Sequence, residues 1–214
     1  MEKKPKRRTR ERILETSLAL FNEFGEPNVT TQIISDELGI SPGNLYYHFR
    51  SKDQIIETLF ADFERSLLDT LSAPARRVPD VEDAWLFLQL VFEGIWHHRF
   101  LYRDLNELLS RNRLLETHFK SIVAHMVSTS AQIFRGLVAT DDMRASNAEI
   151  ETLAVNMTVL ATYWLSFEFV RDPRRKLDGE ALARGAYQCM SLVAPYLVGR
   201  SREWFAALSN EYVA

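Results

Sequence analysis

Between Thr30 and Ile56 the chain leaves room only for short helices set at angles to one another. The run "TTQIISDELGISPGNLYYHFRSKDQII" places a helix stop, Gly39, two residues before a new helix start at Ser41-Pro42. Thr30 is suited to cap the earlier segment, whose apolar side is expected to be Ile33, Ile34 and Leu38. Ser41 caps the next. Pro42 falls at its first helical position, where the missing N–H goes unused anyway. This segment ends near Phe49, and "SKDQ" opens another, with Ser51 and Gln54 in a capping-box spacing and Asp53 at the positive helix end. In the middle helix Leu45 and Phe49 are one turn apart and anchor it. Successive side chains rotate by about 100°, so Gly43, Asn44, Tyr46 and Tyr47 fall away from that anchor.

Helical spacing continues on both sides. Upstream, Ile13, Leu14, Ser17, Leu18, Leu20, Phe21 and Phe24 form a stripe over Thr9–Phe24 that Gly25 closes. Downstream, Ile55, Ile56, Leu59, Phe60 and Phe63 carry a helix of roughly 30 Å to about Leu71. "SAPARRVPD", Ser72 to Asp80, contains two prolines and breaks the pattern. Further helices are predicted over Val81–His97, Phe100–Ser110, Leu115–Ala139, Glu149–Arg171, Asp178–Val198 and Arg202–Tyr212, about ten in all. Strand-like alternation is scarce, so the fold class is all-α.

The net charge of −3 conceals a polarity. Met1–Arg12 holds seven Lys or Arg against two Glu, and residues 1–52 sum to +2, which leaves −5 for the remainder. A basic arm on an acidic protein points to a polyanion at one end; the alternative is a solvated terminus. The single cysteine, Cys189, excludes an intramolecular disulfide and reads as a small buried hydrophobe in a reducing compartment. The charged N-terminus with no apolar run behind it predicts no signal peptide. Leu153–Val170 is the most apolar stretch, but Asn156, Thr158, Thr162, Ser166 and Glu168 argue for a helix buried on most faces of a soluble protein and not for a membrane span.

Three short helices with the tight turn "LGIS" make a helix-turn-helix unit, whose second helix enters the major groove of DNA. Tyr hydroxyls, an imidazole N–H and the Lys52 ammonium are donors suited to phosphate, and Gly43 lets the backbone approach a base closely. From Arg12 to Leu59, "RILETSLALFNEFG" and "VTTQIISDELGISPGNLYYHFRSKDQII" resemble the DNA-binding domain of the TetR family of bacterial transcriptional regulators. The resemblance implies a DNA-binding domain over residues 1–52, basic arm included, and a larger helical ligand-binding and dimerisation domain over 53–214. It implies contacts to phosphate or base from Thr31 and Gln32, a groove-facing helix start at Ser41, Pro42, Gly43 and Asn44, and phosphate contacts from Tyr46, Tyr47, His48 and Lys52. Gln32 suits adenine, whereas Pro42 has no side-chain hydrogen bond to offer a base.

The family pattern further implies a cytoplasmic homodimer on a palindromic operator in double-stranded DNA, paired through helices near 149–171 and 178–198. The apolar surface of the first helix, and Ala181, Ala183, Gly185, Ala186 and Ala194 on the second, fit that pairing. The alternative buries both faces inside one subunit. Trp85, Phe92, Trp96, Phe100, Tyr102, Phe119 and Met126 could line an apolar effector cavity, with His97, Tyr102, Asn106 or His125 as polar handles. The competing reading makes these aromatics ordinary core and makes His118, Ser121, His125, Ser128 and Gln132 a solvated stripe. His97-His98 has no metal-ligand spacing, and no cofactor or catalytic signature is present. The expected function is a repressor released by a small apolar or aromatic effector. A small-molecule carrier or an enzyme with a vestigial DNA-binding domain is the alternative.

Overall fold

A computed structural model describes residues 6–72, 79–172 and 178–212. The arm cations Lys3 and Lys4, and residues 73–78 of the proline-containing stretch Ser72 to Asp80, lie outside them. Among the described residues the chain forms eleven α-helices and two short 3₁₀ turns, with one isolated bridge between Met143 and Leu197. The helices are α1 (Lys6–Phe24), α2 (Thr31–Leu38), α3 (Pro42–His48), α4 (Lys52–Ser72), α5 (Val81–His97), α6 (Arg99–Arg103), α7 (Leu105–Arg111), α8 (Arg113–Ala139), α9 (Asn147–Arg171), α10 (Gly179–Val193) and α11 (Gly199–Tyr212). They fall into two compact units. One comprises the chain up to Arg65 together with His98–Thr117, the other Ser66–His97 and the chain from His118 onward.

In the first unit the start and stop signals act as their chemistry dictates. Thr30 Oγ1 accepts the Ile33 N–H at 3.2 Å, Gly39 sits at φ 63° in the left-handed cap position, and Ser41 Oγ accepts the Asn44 N–H at 3.2 Å. Ser51 Oγ accepts the Gln54 N–H, and the Gln54 side chain accepts the Arg50 N–H at 2.7 Å, one residue earlier than a standard capping box. Ile13, Phe21, Ile34, Leu45, Phe49, Phe60 and Phe63 are all but fully buried, as are Phe100 and Tyr102. Phe21 lies 5.3 Å from Phe100, and Phe63 meets Tyr102 edge-on at 5.8 Å.

Two expected core positions are corrected here. Ile33 is 41% exposed and Phe24 50%, while Ser17 and Ser35 are buried. An eight-residue α2 wedged against α1 and α3 buries one narrow face, and Ser35 fits it because its hydroxyl donates to the Thr31 carbonyl at 2.8 Å. The expected single helix over Phe100–Ser110 is two helices, α6 and α7, interrupted at Asp104.

The second unit packs α10 against α5 and α9. A Cβ on Gly185 would lie 2.4 Å from the Phe92 ring and 2.6 Å from Trp164, and the Trp164 indole donates to the Ala181 carbonyl at 2.7 Å. Ala181, Gly185 and Ala186 are buried, so these small residues serve close approach within the subunit. The start of α9 is a full capping box between Ser146 and Glu149. Hydrogen bonds from the Ser146 backbone and hydroxyl hold the Glu149 carboxyl below its ordinary pKa.

By length and composition α8 and α9 could each cross a membrane, yet α9 is only half buried in this fold. The expectation that it is enclosed on most sides therefore fails: Val155, Val159, Tyr163, Phe167 and Val170 stand exposed along one side. On its inner side Glu168 is buried and paired with Arg171 at 3.0 Å and Arg184 at 2.9 Å.

Candidate nucleic-acid interface

The surface of the first unit that carries α2 and α3 gathers nearly all the residues picked out by sequence. Gln32, Ser41, Pro42, Gly43, Asn44, Tyr46 and Tyr47 are exposed, and Thr31 and His48 are half-buried. Leu45 and Phe49 hold α3 to the core with no exposed surface. Tyr47 is 68% exposed, and its ring meets the His48 imidazole edge-on at 5.2 Å. Thr31 Oγ1 and the Tyr46 hydroxyl are 3.0 Å apart, which fastens α2 to α3 on the solvent side. Gln32 donates its amide to Asp36 at 2.7 Å within α2, so its side chain is held in one orientation along the helix.

Gly43 has a specific meaning. A Cβ there would meet only the Ser41 hydroxyl, at 3.9 Å. Nothing inside the fold requires a glycine in this helix, where glycine costs about 0.5–1 kcal/mol against alanine. An alanine would therefore fit here without disturbing the fold.

Near the basic arm, Arg10 stacks its guanidinium 4.8 Å from the Phe49 ring centre and Arg12 donates to the Leu38 carbonyl at 3.5 Å. These contacts keep cations of α1 beside α2 and α3.

Lys52 stands differently. Its ammonium is 2.7 Å from Glu26 Oε1 and donates at 3.1 Å to the carbonyls of both Glu26 and Val29. An ammonium has three donors, and all three are engaged inside the unit. Glu26, 1% exposed, also takes Arg111 at 2.6 Å on its other oxygen, and its N–H donates to Asp104 at 3.2 Å. Burial raises the Asp104 carboxyl pKa and outweighs the lowering effects of that N–H and of Arg103. Sequence reasoning did not single out Glu26, Asp104 or Arg111. No local signal marks a buried carboxylate in "GEPN" when its partners come from distant helices.

The residues proposed to line an effector cavity are divided between the two units. Phe100 and Tyr102 sit in the core of the first unit, where burial pushes the Tyr102 phenol pKa up. Asn106 and His125 are exposed, and Trp96 is half-buried. His125 Nδ1 lies 2.9 Å from the Ser121 carbonyl, on the exposed stripe that includes His118, Ser128 and Gln132. Trp85, Phe92 and Phe119 are buried. Among the described residues of the second unit, two small apolar cavities of about 10 Å³ each share Phe87, Leu88, Ser130 and Met157. Each is near the minimum that holds one water. Of the predicted set, Met126 lines one of them.

Residues 13–59 match the family described as bacterial regulatory proteins, tetR family, and residues 62–205 match TetR, bacterial transcriptional repressor. The chain belongs to the TetR family. A crystal structure of a TetR-family transcriptional regulator from Marinobacter aquaeolei VT8 superposes with a TM-score of 0.86 at 34% identity, covering 95% of this chain and 98% of that one. The HTH-type transcriptional repressor KstR2 of Mycolicibacterium smegmatis is 31% identical over 47% of this chain and 51% of its own length. The nucleoid occlusion factor SlmA of Shewanella sp. is 30% identical over 61% of this chain and 68% of its own. The chain thus spans about half the length of the KstR2 relative. Membership in the TetR family makes α2, α3 and their connecting turn its helix-turn-helix.

Proposed function

We propose that this TetR-family protein is a cytoplasmic, sequence-specific DNA-binding repressor, acting as a homodimer on a palindromic operator. The observation that carries the reading is the α2–α3 surface: exposed donors surround a helical glycine that the fold itself does not need. Tyr46, Tyr47, His48 and Thr31 serve phosphate. Base choice rests on Gln32, Gly43 and Asn44, with Ser41 and Pro42 shaping the helix start. Lys52 is reassigned from phosphate contact to the support of this surface, since its donors are already taken.

The exposed row on α9 supports pairing with a second copy, because apolar side chains at Val155, Val159, Tyr163 and Phe167 repeat every four residues along one face. In such a dimer two α3 helices would reach successive major grooves about 34 Å apart. The apolar cavities beside Met126, Met157 and Met190 are the reading's effector site, enlarged on binding by methionine side chains that repack readily. Release requires that the effector bind the DNA-incompetent state more tightly. An enzyme or carrier is disfavoured by the presence of this surface.

Selection of duplexes from a random library by the purified protein tests the reading. An enriched inverted repeat is expected; no enrichment over input DNA would refute it.

A further inference from the structure

The buried carboxylate of Glu26 is not needed to hold a helix cap or to complete the hydrophobic core. It sits in the 3₁₀ turn Glu26–Asn28 between α1 and α2, with 1% of its surface exposed. Leaving such a charge unpaired is expensive, so its two partners define its role. Lys52, the first residue of α4, reaches one oxygen at 2.7 Å and also ties the turn's carbonyls at Glu26 and Val29 to the start of α4. That start follows α3 by three residues. Arg111, the last residue of α7, reaches the other oxygen at 2.6 Å.

Other contacts make the same seam. Asp104, between α6 and α7, accepts the Glu26 N–H, and the Phe100 N–H donates to Asn22 on α1 at 3.1 Å. The Asn112 amide donates to Glu57 on α4 at 3.0 Å. Gly25, at φ 83°, lets the backbone lie against Arg103, whose guanidinium would stand 3.2 Å from a Cβ. The α6–α7 segment is therefore fastened to the turn before α2 and to the beginning of α4, the two ends of the α2–α3 pair.

We propose that Glu26 is a positioning residue for DNA binding: held between Lys52 and Arg111, it sets the α2–α3 pair in its DNA-competent placement and makes that placement depend on α7. Arg111 acts through Glu26 and touches no DNA. Withdrawing Arg111 leaves the carboxylate with one cation and removes its ion pair to α7, while Lys52 still joins the turn to the start of α4. The inference rests on the DNA-binding reading above.

The test uses the full-length protein and a duplex enriched by the wild type, with an unrelated duplex of equal length as the comparison. Glu26→Gln, Arg111→Gln, the double variant and Arg111→Lys are titrated at a temperature where each retains the wild-type circular dichroism spectrum. Each Gln variant should lower the ratio of selected to unrelated affinity by at least about tenfold, and the double variant should be no worse than the weaker single, as for groups sharing one interaction. Arg111→Lys should recover most of the loss. Because Arg111→Gln leaves Glu26 its Lys52 partner, it keeps the test open should Glu26→Gln not fold. An unchanged ratio with a lowered unfolding temperature would reduce the trio to a structural ion pair and overturn the proposal. So would losses that multiply in the double variant. If the wild type enriches no duplex, the DNA-binding reading fails and this inference with it; if the wild type binds and the variants match it, this inference alone fails.

Discussion

Thr31 Oγ1 on α2 and the Tyr46 hydroxyl on α3 lie 3.0 Å apart, joining the two helices of the helix-turn-helix on their exposed side. A hydroxyl has one donor and two acceptor sites, so each partner keeps hydrogen-bonding capacity for a phosphate after this bond is made. The pair ties the two helices together and remains accessible on the exposed side.

Gly43→Ala should separate stability from binding. With open space at its Cβ position, the substitution should raise the unfolding free energy by about 0.5–1 kcal/mol, the usual helical gain of alanine over glycine. Operator affinity should fall, because the added methyl occupies the close approach to the base edges. Chemical denaturation and duplex titration of the same sample read both effects.

The opposite result is expected at Gly185. A methyl there would overlap the Phe92 and Trp164 rings, both buried, so Gly185→Ala should lower stability by about 1–3 kcal/mol. Urea midpoints at unchanged slope would measure it.

Asp104 gives a pH signature. Its raised pKa means that the folded state binds this proton more tightly than the unfolded state does. The group's contribution to stability is therefore greatest in acid and is lost as pH rises from the ordinary carboxylate value of 3.8 through the folded pKa. Asp104→Asn keeps an acceptor for the Glu26 N–H without the desolvated charge. It should be at least as stable as wild type at neutral pH, with any advantage shrinking toward pH 3.8. Thermal unfolding of both proteins across that range checks the sign.

On α9, Val159 is 53% exposed and Tyr163 46%, in the middle of the apolar row. Val159→Asp or Tyr163→Asp should convert a dimer to a monomer by light scattering while leaving helicity unchanged, since neither side chain belongs to the subunit core.

Much of this fold can be read from local chemistry. Thr30, Gly39 and Ser41-Pro42 bound their helices because caps act within a few residues, and Leu45 and Phe49 reveal the buried side of α3 by their spacing. The choice between Ile33 and Ser35 was not legible: an eight-residue helix has too few turns to average its pattern, and its neighbours select the face. Phe100 and Tyr102 have the composition of a ligand pocket, but only tertiary packing sends them to the first unit. Lys52 carries the sequence pattern of a DNA contact, yet the fold commits its ammonium to Glu26, 26 residues away. The outward side of α2 and α3 could be read because helical rotation alone turns it to solvent; the groups that brace it could not.

On the proposed function, α3 reads DNA through few residues and is positioned by many. The most direct measurement of this is a titration of the selected duplex, and of copies changed at single base pairs, with wild type, Asn44→Ala and Tyr47→Ala. Tyr47→Ala should weaken every duplex by a similar factor, and Asn44→Ala should relax discrimination at one base pair by about 1–3 kcal/mol. If neither substitution alters binding to any duplex, α3 is not the recognition helix and the account is wrong.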